Sequence, residues 1–223
     1  MAYRTPARIA ERKEARKRLF VETAVRLFGV QGYAATTVPM IVKECGSSTG
    51  GFYFYFKNKE DIFAAALEWL GERISSALNQ AISGQKHPLL QMKAAVEALF
   101  LFLAQNPTEA RILIIESSGL SGRLEEVRRE MLASHARSVE TALAALAPML
   151  PSMRPAVVAR CWVGAVYQAA WWWLEQPAQS RPSAEAVAGE VAEFNLRGIG
   201  ADVATLAAAQ NVPAVRGEKE SSP

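Results

Sequence analysis

With 223 residues, half of them hydrophobic, the chain can bury a substantial core and has room for one helical domain with a smaller one attached. A net charge of +3 is too small to point to a nucleic-acid partner by itself. The charged N-terminus lacks the apolar stretch of a signal peptide, and the most apolar runs, Ala98–Ala104 and Cys161–Leu174, fall short of the ~18 residues that suggest a membrane span. A soluble cytoplasmic protein with no membrane partner is expected.

Apolar residues recur at helical spacing almost throughout, so the expected fold class is all-α, with about nine helices. The first helix runs from about Pro6 to Val30, with Leu19, Ala24, Leu27 and Phe28 on one face, and ends at Gly32. Thr37 can cap a second helix that tolerates Pro39 in its first turn. After Gly46-Ser47 a short third helix covers about Ser48–Phe54, capped by Ser47 or Ser48. Asn58 caps a long fourth helix reaching about Ser83, with Ile62, Phe63, Ala66, Leu67, Leu70 and Ile74 as its apolar stripe. Pro88 opens a fifth helix to about Gln105. Asn106-Pro107 breaks it, and a short apolar segment, Arg111–Glu116, follows. The stretch Ser117–Gly122 reads as a flexible turn, and a charged helix spans about Arg123–Leu146. Two last helices cover about Ala156–Glu175 and Ser183–Gly198, and residues after about Gln210 read as a disordered tail.

The segment Thr37–Lys59 reads TVPMIVKECGSSTGGFYFYFKNK. Two short helices joined by a tight Gly-containing turn are the build of a helix-turn-helix, whose second helix is sized to enter the major groove of double-stranded DNA. The charge distribution agrees: residues 1–63 carry 11 Lys/Arg against 6 Asp/Glu, whereas the remainder carries 14 against 16. Arg4, Arg8, Arg12, Lys13, Arg16, Lys17 and Arg18 could be a merely solvated face. Their excess nevertheless falls in the half that holds the motif, as a phosphate-contacting module requires. Phe52 and Phe56 fall on the inward face with Ile41 and Phe63 and read as core. Tyr53 has a hydroxyl that needs a polar partner, which phosphate can supply. Phe54 can pack against a thymine methyl or the sugar-phosphate backbone. Gly50-Gly51 costs ~2 kcal/mol of helix propensity and lets the backbone approach DNA closely. No Arg stands in this helix to grip guanine, so specificity would rest on hydroxyls, apolar contacts and DNA shape.

The first helix ending in Gly32-Tyr33, the second opening at Thr37 and closing at Gly46, the Tyr53-x-x-Phe56 signature and Lys57-Asn58-Lys59-Glu60 together resemble the TetR family of bacterial transcriptional regulators. The likeness covers about residues 15–70. It implies an all-helical homodimer: a DNA-binding domain at 1–58 (motif about 37–56), a ligand-binding and dimerisation domain at 59–207, and a disordered tail at 208–223. It also implies that Thr37, Tyr53 and Lys59 touch the DNA backbone, with Ser48, Thr49 and Gly51 towards the groove and Phe54 and Lys57 beside them. Gly50-Gly51 departs from the commoner pattern of one small residue followed by Thr, and Phe54 stands where a polar residue is frequent. The function implied is a ligand-responsive regulator, a repressor on a palindromic operator that an effector releases.

The run Cys161–Trp173 is the second unusual feature. Consecutive helical residues are ~100° apart, so Trp171, Trp172 and Trp173 sweep ~200° and cannot all face one core. The resemblance implies that the last two long helices form a four-helix bundle with those of a partner. Ala165, Ala169 and Trp172, with Val187, Val191 and Phe194, are the candidates for that dimer face. Trp69, Phe100, Phe102, Trp162 and Trp173 are candidates for the apolar wall of a pocket, with Tyr167, Gln168, Asn106, Arg111, Glu116 or His135 as its polar points. The effector expected is a hydrophobic or amphipathic small molecule, an acyl chain or an aromatic compound. Aromatics at this spacing also serve as plain core, which leaves a regulator without an effector as the alternative. Cys45 and Cys161 read as small core residues. No catalytic residue, metal or cofactor is expected: His87 and His135 are isolated, and Glu125-Glu126 with Glu130 reads as a solvated face. An enzyme is the alternative from another class.

Overall fold

The computed structural model describes residues 6–117, 122–146 and 153–201, and the regular structure among them is entirely helical. Nine α-helices follow in order: α1 (Pro6–Ala35), α2 (Val38–Glu44), α3 (Thr49–Tyr53), α4 (Lys59–Ser83), α5 (Pro88–Gln105), α6 (Pro107–Ala110), α7 (Arg123–Ala145), α8 (Pro155–Glu175) and α9 (Ala184–Gly198). A π-helical segment, Arg111–Glu116, continues α6. The expected tail at 208–223 and most of the expected 117–122 turn lie outside the described residues.

The helix starts are set by local chemistry. Ser48 accepts a hydrogen bond from the Gly51 N–H at the start of α3, Asn58 from Asp61 at the start of α4, and Ser183 from Ala186 at the start of α9. Proline occupies the first turn of α2, α5, α6 and α8, where its missing N–H has no helical partner to lose. Thr37 stands at the N-cap of α2, but its side chain makes no capping bond.

The first helix is broken at Gly32, as expected: the glycine adopts φ 86° and ψ 163°, and one further helical stretch follows to Ala35. Two local expectations need correction. The inward face of α1 is Phe20, Val21, Ala24, Val25 and Phe28, while Leu19 remains 39% exposed. That face packs on α4, the π-segment, α6 and α2. Cys161 is exposed on α8, and only Cys45 is buried.

Two packing units share the long α4. In the N-terminal head, Phe20, Phe28, Phe52, Phe56 and Phe63 are all essentially inaccessible. Phe28 and Phe63 meet edge to face at 4.8 Å, and Phe20 and Phe52 at 5.7 Å. In the body, α5 packs on α4 and α9, and α7 packs on α8 and α4. By length and composition α5 could cross a membrane. Its Leu89, Met92, Val96, Leu99, Phe100 and Leu103 are instead buried against neighbouring helices, as in a core helix. The π-segment buries Ile112, Leu113 and Ile114 in succession, which its wider turn allows and a regular helix would resist.

Candidate nucleic-acid interface and ligand cavity

The α2–turn–α3 unit is held on α1 by its apolar side and leaves its other side open. Ile41, Phe52 and Phe56 are buried, whereas Thr37, Ser48, Thr49, Tyr53, Phe54 and Lys57 are exposed on the opposite surface. The turn passes through Gly46 at φ 55°, and Arg16 reaches its carbonyl at 3.4 Å. Arg26 clamps Glu44 at 2.7 Å. The two glycines differ in role. A Cβ at Gly51 would lie 2.8 Å from the Ser47 hydroxyl and 3.3 Å from that of Ser48, so a side chain there would make the Ser47 hydroxyl turn away and would crowd the cap. A Cβ at Gly50 would meet nothing within 4 Å, which leaves it as the open position of the helix.

The exposed aromatic pair is supported from behind. Tyr53 is 55% exposed and its ring stands against Phe52. Phe54 is 67% exposed, with the Lys13 ammonium 5.0 Å from its ring centre, so the basic arm of α1 and the recognition helix form one surface. Lys59 is placed differently from the expectation. Its ammonium donates to the carbonyls of Tyr33 at 2.8 Å and Ala34 at 3.3 Å, capping the end of α1 beside the Tyr33 ring.

Several contacts fasten this head to the body. Glu116, at the end of the π-segment, accepts from the Tyr33 backbone N–H at 2.9 Å and pairs with Arg111 at 3.1 Å. Arg123 of α7 pairs with Asp61 at the start of α4. Gly29 of α1 runs so close to α6 that a Cβ would lie 2.2 Å from Thr108 Cγ2 and 2.6 Å from its carbonyl oxygen.

A cavity of about 460 Å³, partly open to solvent, lies in the body between α4, α5, α7 and α8. Leu78, Ile82, Met92, Val96, Leu99, Val139, Trp162 and Val166 make most of its wall apolar. Ser134, Ser138 and Thr141 lie along one side of α7. All three are exposed, and two of their hydroxyls return to carbonyls of their own helix, Ser138 to Ser134 and Thr141 to Arg137, so they form the open rim of the cavity. At one end Tyr167 Oη and His135 Nδ1 are 3.0 Å apart. Burial pushes the His135 imidazole below its ordinary value and the Tyr167 phenol above its own, so both are neutral near pH 7.

The sequence-derived pocket residues therefore separate. His135, Trp162 and Tyr167 line this cavity, and Gln168 lies in a neighbouring one. Phe100 and Trp173 pack edge to face at 5.9 Å in the core, where the Trp173 indole donates to the Pro182 carbonyl. Trp69 and Phe102 flank the Arg73 guanidinium, which pairs with Glu109. Arg111 and Glu116 serve the head–body joint, and Asn106 folds back onto the Phe102 carbonyl. The reason is helical phase: α5 turns Phe100 towards α8 and α9, while Val96 and Leu99 face the cavity. Sequence reasoning missed Ser75 and Asn79 of α4 and the Ser134–Ser138–Thr141 stripe. The stripe was visible in principle, as small hydroxyl residues at spacings of four and three along α7.

Of the dimer-face candidates, Ala165 and Ala169 are half-buried, while Trp172 is 48% and Phe194 is 70% exposed. Val187 is buried in the protomer's own core and Val191 is half-buried, so α9 turns Ala186, Glu190 and Phe194 outward instead. Of the three consecutive tryptophans, Trp173 is buried, Trp171 half-buried and Trp172 exposed, as their sweep around the helix requires.

Residues 20–66 match the family described as bacterial regulatory proteins, tetR family. The uncharacterized HTH-type transcriptional regulator YerO of Bacillus subtilis is 44% identical over 54 residues, 24% of this chain and 19% of that protein. YxaF of the same organism is 31% identical over 102 residues, 45% of this chain and 49% of the relative. The chain thus spans between a fifth and a half of the length of these curated relatives. The likeness to solved structures extends further. FadR from Bacillus subtilis in complex with stearoyl-CoA has a TM-score of 0.72 at 20% identity, covering 81% of this chain and 98% of that one. AibR in complex with isovaleryl coenzyme A and operator DNA has a TM-score of 0.64 at 21% identity, covering 80% and 97%. The helix-turn-helix head is similar to those of bacterial transcriptional regulators, and the chain as a whole shares the all-helical fold of FadR and AibR. Residues 20–66 carry the N-terminal domain of the tetR family.

Proposed function

We propose that the protein is a cytoplasmic, ligand-released repressor that binds a palindromic operator as a homodimer, with a hydrophobic or amphipathic effector in the cavity between α4, α5, α7 and α8. The observation that carries this reading is the continuity of α4. Its first turn carries Asp61 and Lys59 at the foot of the DNA-binding head, and its Ser75, Leu78, Asn79 and Ile82 line the cavity. A single helix of roughly 24 Å between these points transmits a tilt without loss. An effector that wedges α4 from α7 and α8 would swing the heads away from the spacing of about 34 Å that successive major grooves impose. Release then follows from a difference in effector affinity between the two arrangements, commonly worth about 1–3 kcal/mol.

Thr37, Ser48, Thr49, Tyr53 and Lys57 would contact phosphate or base edges, with Phe54 packed on sugar or thymine methyl. Gly51 would hold the cap, and Lys59 would act indirectly by fixing α1. Trp172, Phe194, Ala165 and Ala169 would meet their counterparts across a two-fold axis. The acyl-CoA complexes of FadR and AibR support an acyl thioester as the effector class, and the mainly aliphatic wall suits an acyl chain. Selection of binding sites from random DNA, followed by fluorescence polarisation with decanoyl-CoA added, tests the reading. A palindromic site that the thioester releases is the expected outcome. Binding without sequence preference, or a selected site that no acyl thioester affects while none binds the protein, would reject it.

A further inference from the structure

Beside the apolar cavity lies a second one of about 430 Å³, between the π-segment, α7 and α8. Arg128 and Arg129 of α7 and Arg160 of α8 line it, and among the described residues no carboxylate does. The two cavities share Val163 and Tyr167 in their walls, so they are separated by the thickness of one layer of side chains. On the far side of that layer Tyr167 meets His135. On the near side Arg128 lies close enough for its charge to act on the Tyr167 phenol, against the larger effect of burial. Polarity thus rises in one direction, from aliphatic wall to a neutral hydrogen-bonding pair to three cations.

The three guanidinium groups are poorly matched within the protein. Arg128 is 3.6 Å from Glu125 and Arg129 is 3.9 Å from Glu126, both too long for a good charge-assisted hydrogen bond. Arg160 donates to the Ala156 carbonyl of its own helix. Well-made pairs occur elsewhere on the same molecule, Arg26 with Glu44 at 2.7 Å and Arg137 with Glu130 at 2.6 Å. Cations gathered around a concave surface repel one another and raise the local concentration of anions. The planar fork of arginine is suited to phosphate oxygens.

We propose that this second cavity is the anion-binding half of the effector site, in which Arg128, Arg129 and Arg160 hold the phosphates of an amphiphile whose apolar tail fills the first cavity. The inference rests on the effector reading above and narrows it to a phosphate-bearing ligand. The His135–Tyr167 pair then meets the polar junction between tail and head group, and Tyr167 is the side chain that must move for one molecule to occupy both cavities.

The test uses the full chain and follows binding by isothermal titration calorimetry. Four probes are titrated: decanoyl-CoA, the uncharged decanoyl thioester of N-acetylcysteamine, decanoate and coenzyme A alone. They are titrated into the wild type, into the Arg128→Gln/Arg129→Gln/Arg160→Gln variant and into the corresponding triple Lys variant. Decanoyl-CoA is expected to bind the wild type on the order of tenfold or more tighter than the uncharged thioester, with an advantage that falls as salt rises. The Gln variant loses that advantage and the Lys variant keeps part of it. Equal binding of the uncharged thioester by all three proteins reports an intact first cavity. The proposal is overturned if the Gln variant keeps the preference for decanoyl-CoA, or if the wild type has none. Arginine-dependent binding of decanoate as tight as that of decanoyl-CoA also overturns it, by assigning the cations to a carboxylate. If no thioester binds the wild type, the effector reading fails and this proposal with it. If the uncharged thioester binds and decanoyl-CoA gains nothing, only the anion site fails.

Discussion

The head and the body are both all-helical, yet they are filled in opposite ways. The head closes on interlocked aromatic rings, with Phe20, Phe28, Phe52, Phe56 and Phe63 all inaccessible, and its outward surface stands on that block. The body is packed from aliphatic residues around about 460 Å³ of space, with a half-buried polar pair at the cavity wall. A surface that must match a rigid duplex gains from a core with few alternative packings, whereas a sensor must have a place that yields. Unfilled apolar space is destabilising in itself, and a molecule that fills it recovers part of that loss. The joint between the two regions is narrow: Gly29 against Thr108, Glu116 on the Tyr33 amide, and the shared α4.

The sharpest way to break this contrast is to delete side chains on each side of it. Phe28→Ala in the head should cost about 3–5 kcal/mol, measured by chemical denaturation. In the body, Leu103→Ala, at a fully buried position, should cost more than Leu99→Ala, whose side chain already borders the cavity. Equal losses for the two leucines would mean that the cavity is collapsed in solution.

The joint is probed next. Gly29→Ala must push α1 from α6, because the new Cβ would strike the Thr108 backbone as well as its side chain. A loss of about 1–3 kcal/mol is expected, together with a changed response of operator affinity to effector. A variant as stable and as responsive as the wild type would show that this contact does not couple the regions.

A smaller effect belongs to pH. Folding holds His135 below its ordinary value of 6.5, so the unfolded chain binds the extra proton first as the solution is acidified. The contribution of His135 is therefore complete above the unfolded value and is lost as pH falls below about 6.5. Melting temperatures between pH 7.5 and 5.5 should fall less steeply in His135→Gln than in the wild type, and parallel curves would remove His135 from the account. The smallest effect on stability is that of Tyr53→Phe, within about 0.5 kcal/mol because the ring is retained. Operator affinity should nevertheless drop by roughly two- to tenfold, the worth of one hydrogen bond. Unchanged affinity would leave Tyr53 only its ring contact with Phe52.

The head could be read almost residue by residue because its information is local. Caps such as Ser48 and Asn58, the Gly46 turn and the inward Phe52 and Phe56 all act within a few positions of themselves. Leu19, expected inward and found 39% exposed, is one exception, and Lys59 is another: its partners are the carbonyls of Tyr33 and Ala34, on another helix. In the body the helix ends were equally legible, as Pro88 and Gln105 illustrate. The cavity was not, because it depends on the rotation of four helices about their axes. A modest change of phase sends Phe100 and Trp173 into the core and leaves Val96 and Leu99 on the wall. The same sensitivity placed Val187 inside the protomer and Phe194 outside it.

The central claim is that occupation of the body cavity moves the heads through α4. Double electron–electron resonance reads this directly, with a spin label at Lys57→Cys, an exposed position beside the recognition helix, in a Cys161→Ser background that leaves only the buried Cys45. The account predicts one dominant distance between the two labels of the dimer, and a shift of that distribution when decanoyl-CoA is bound. No interspin distance, or an unchanged distribution in protein saturated with the thioester, would contradict it.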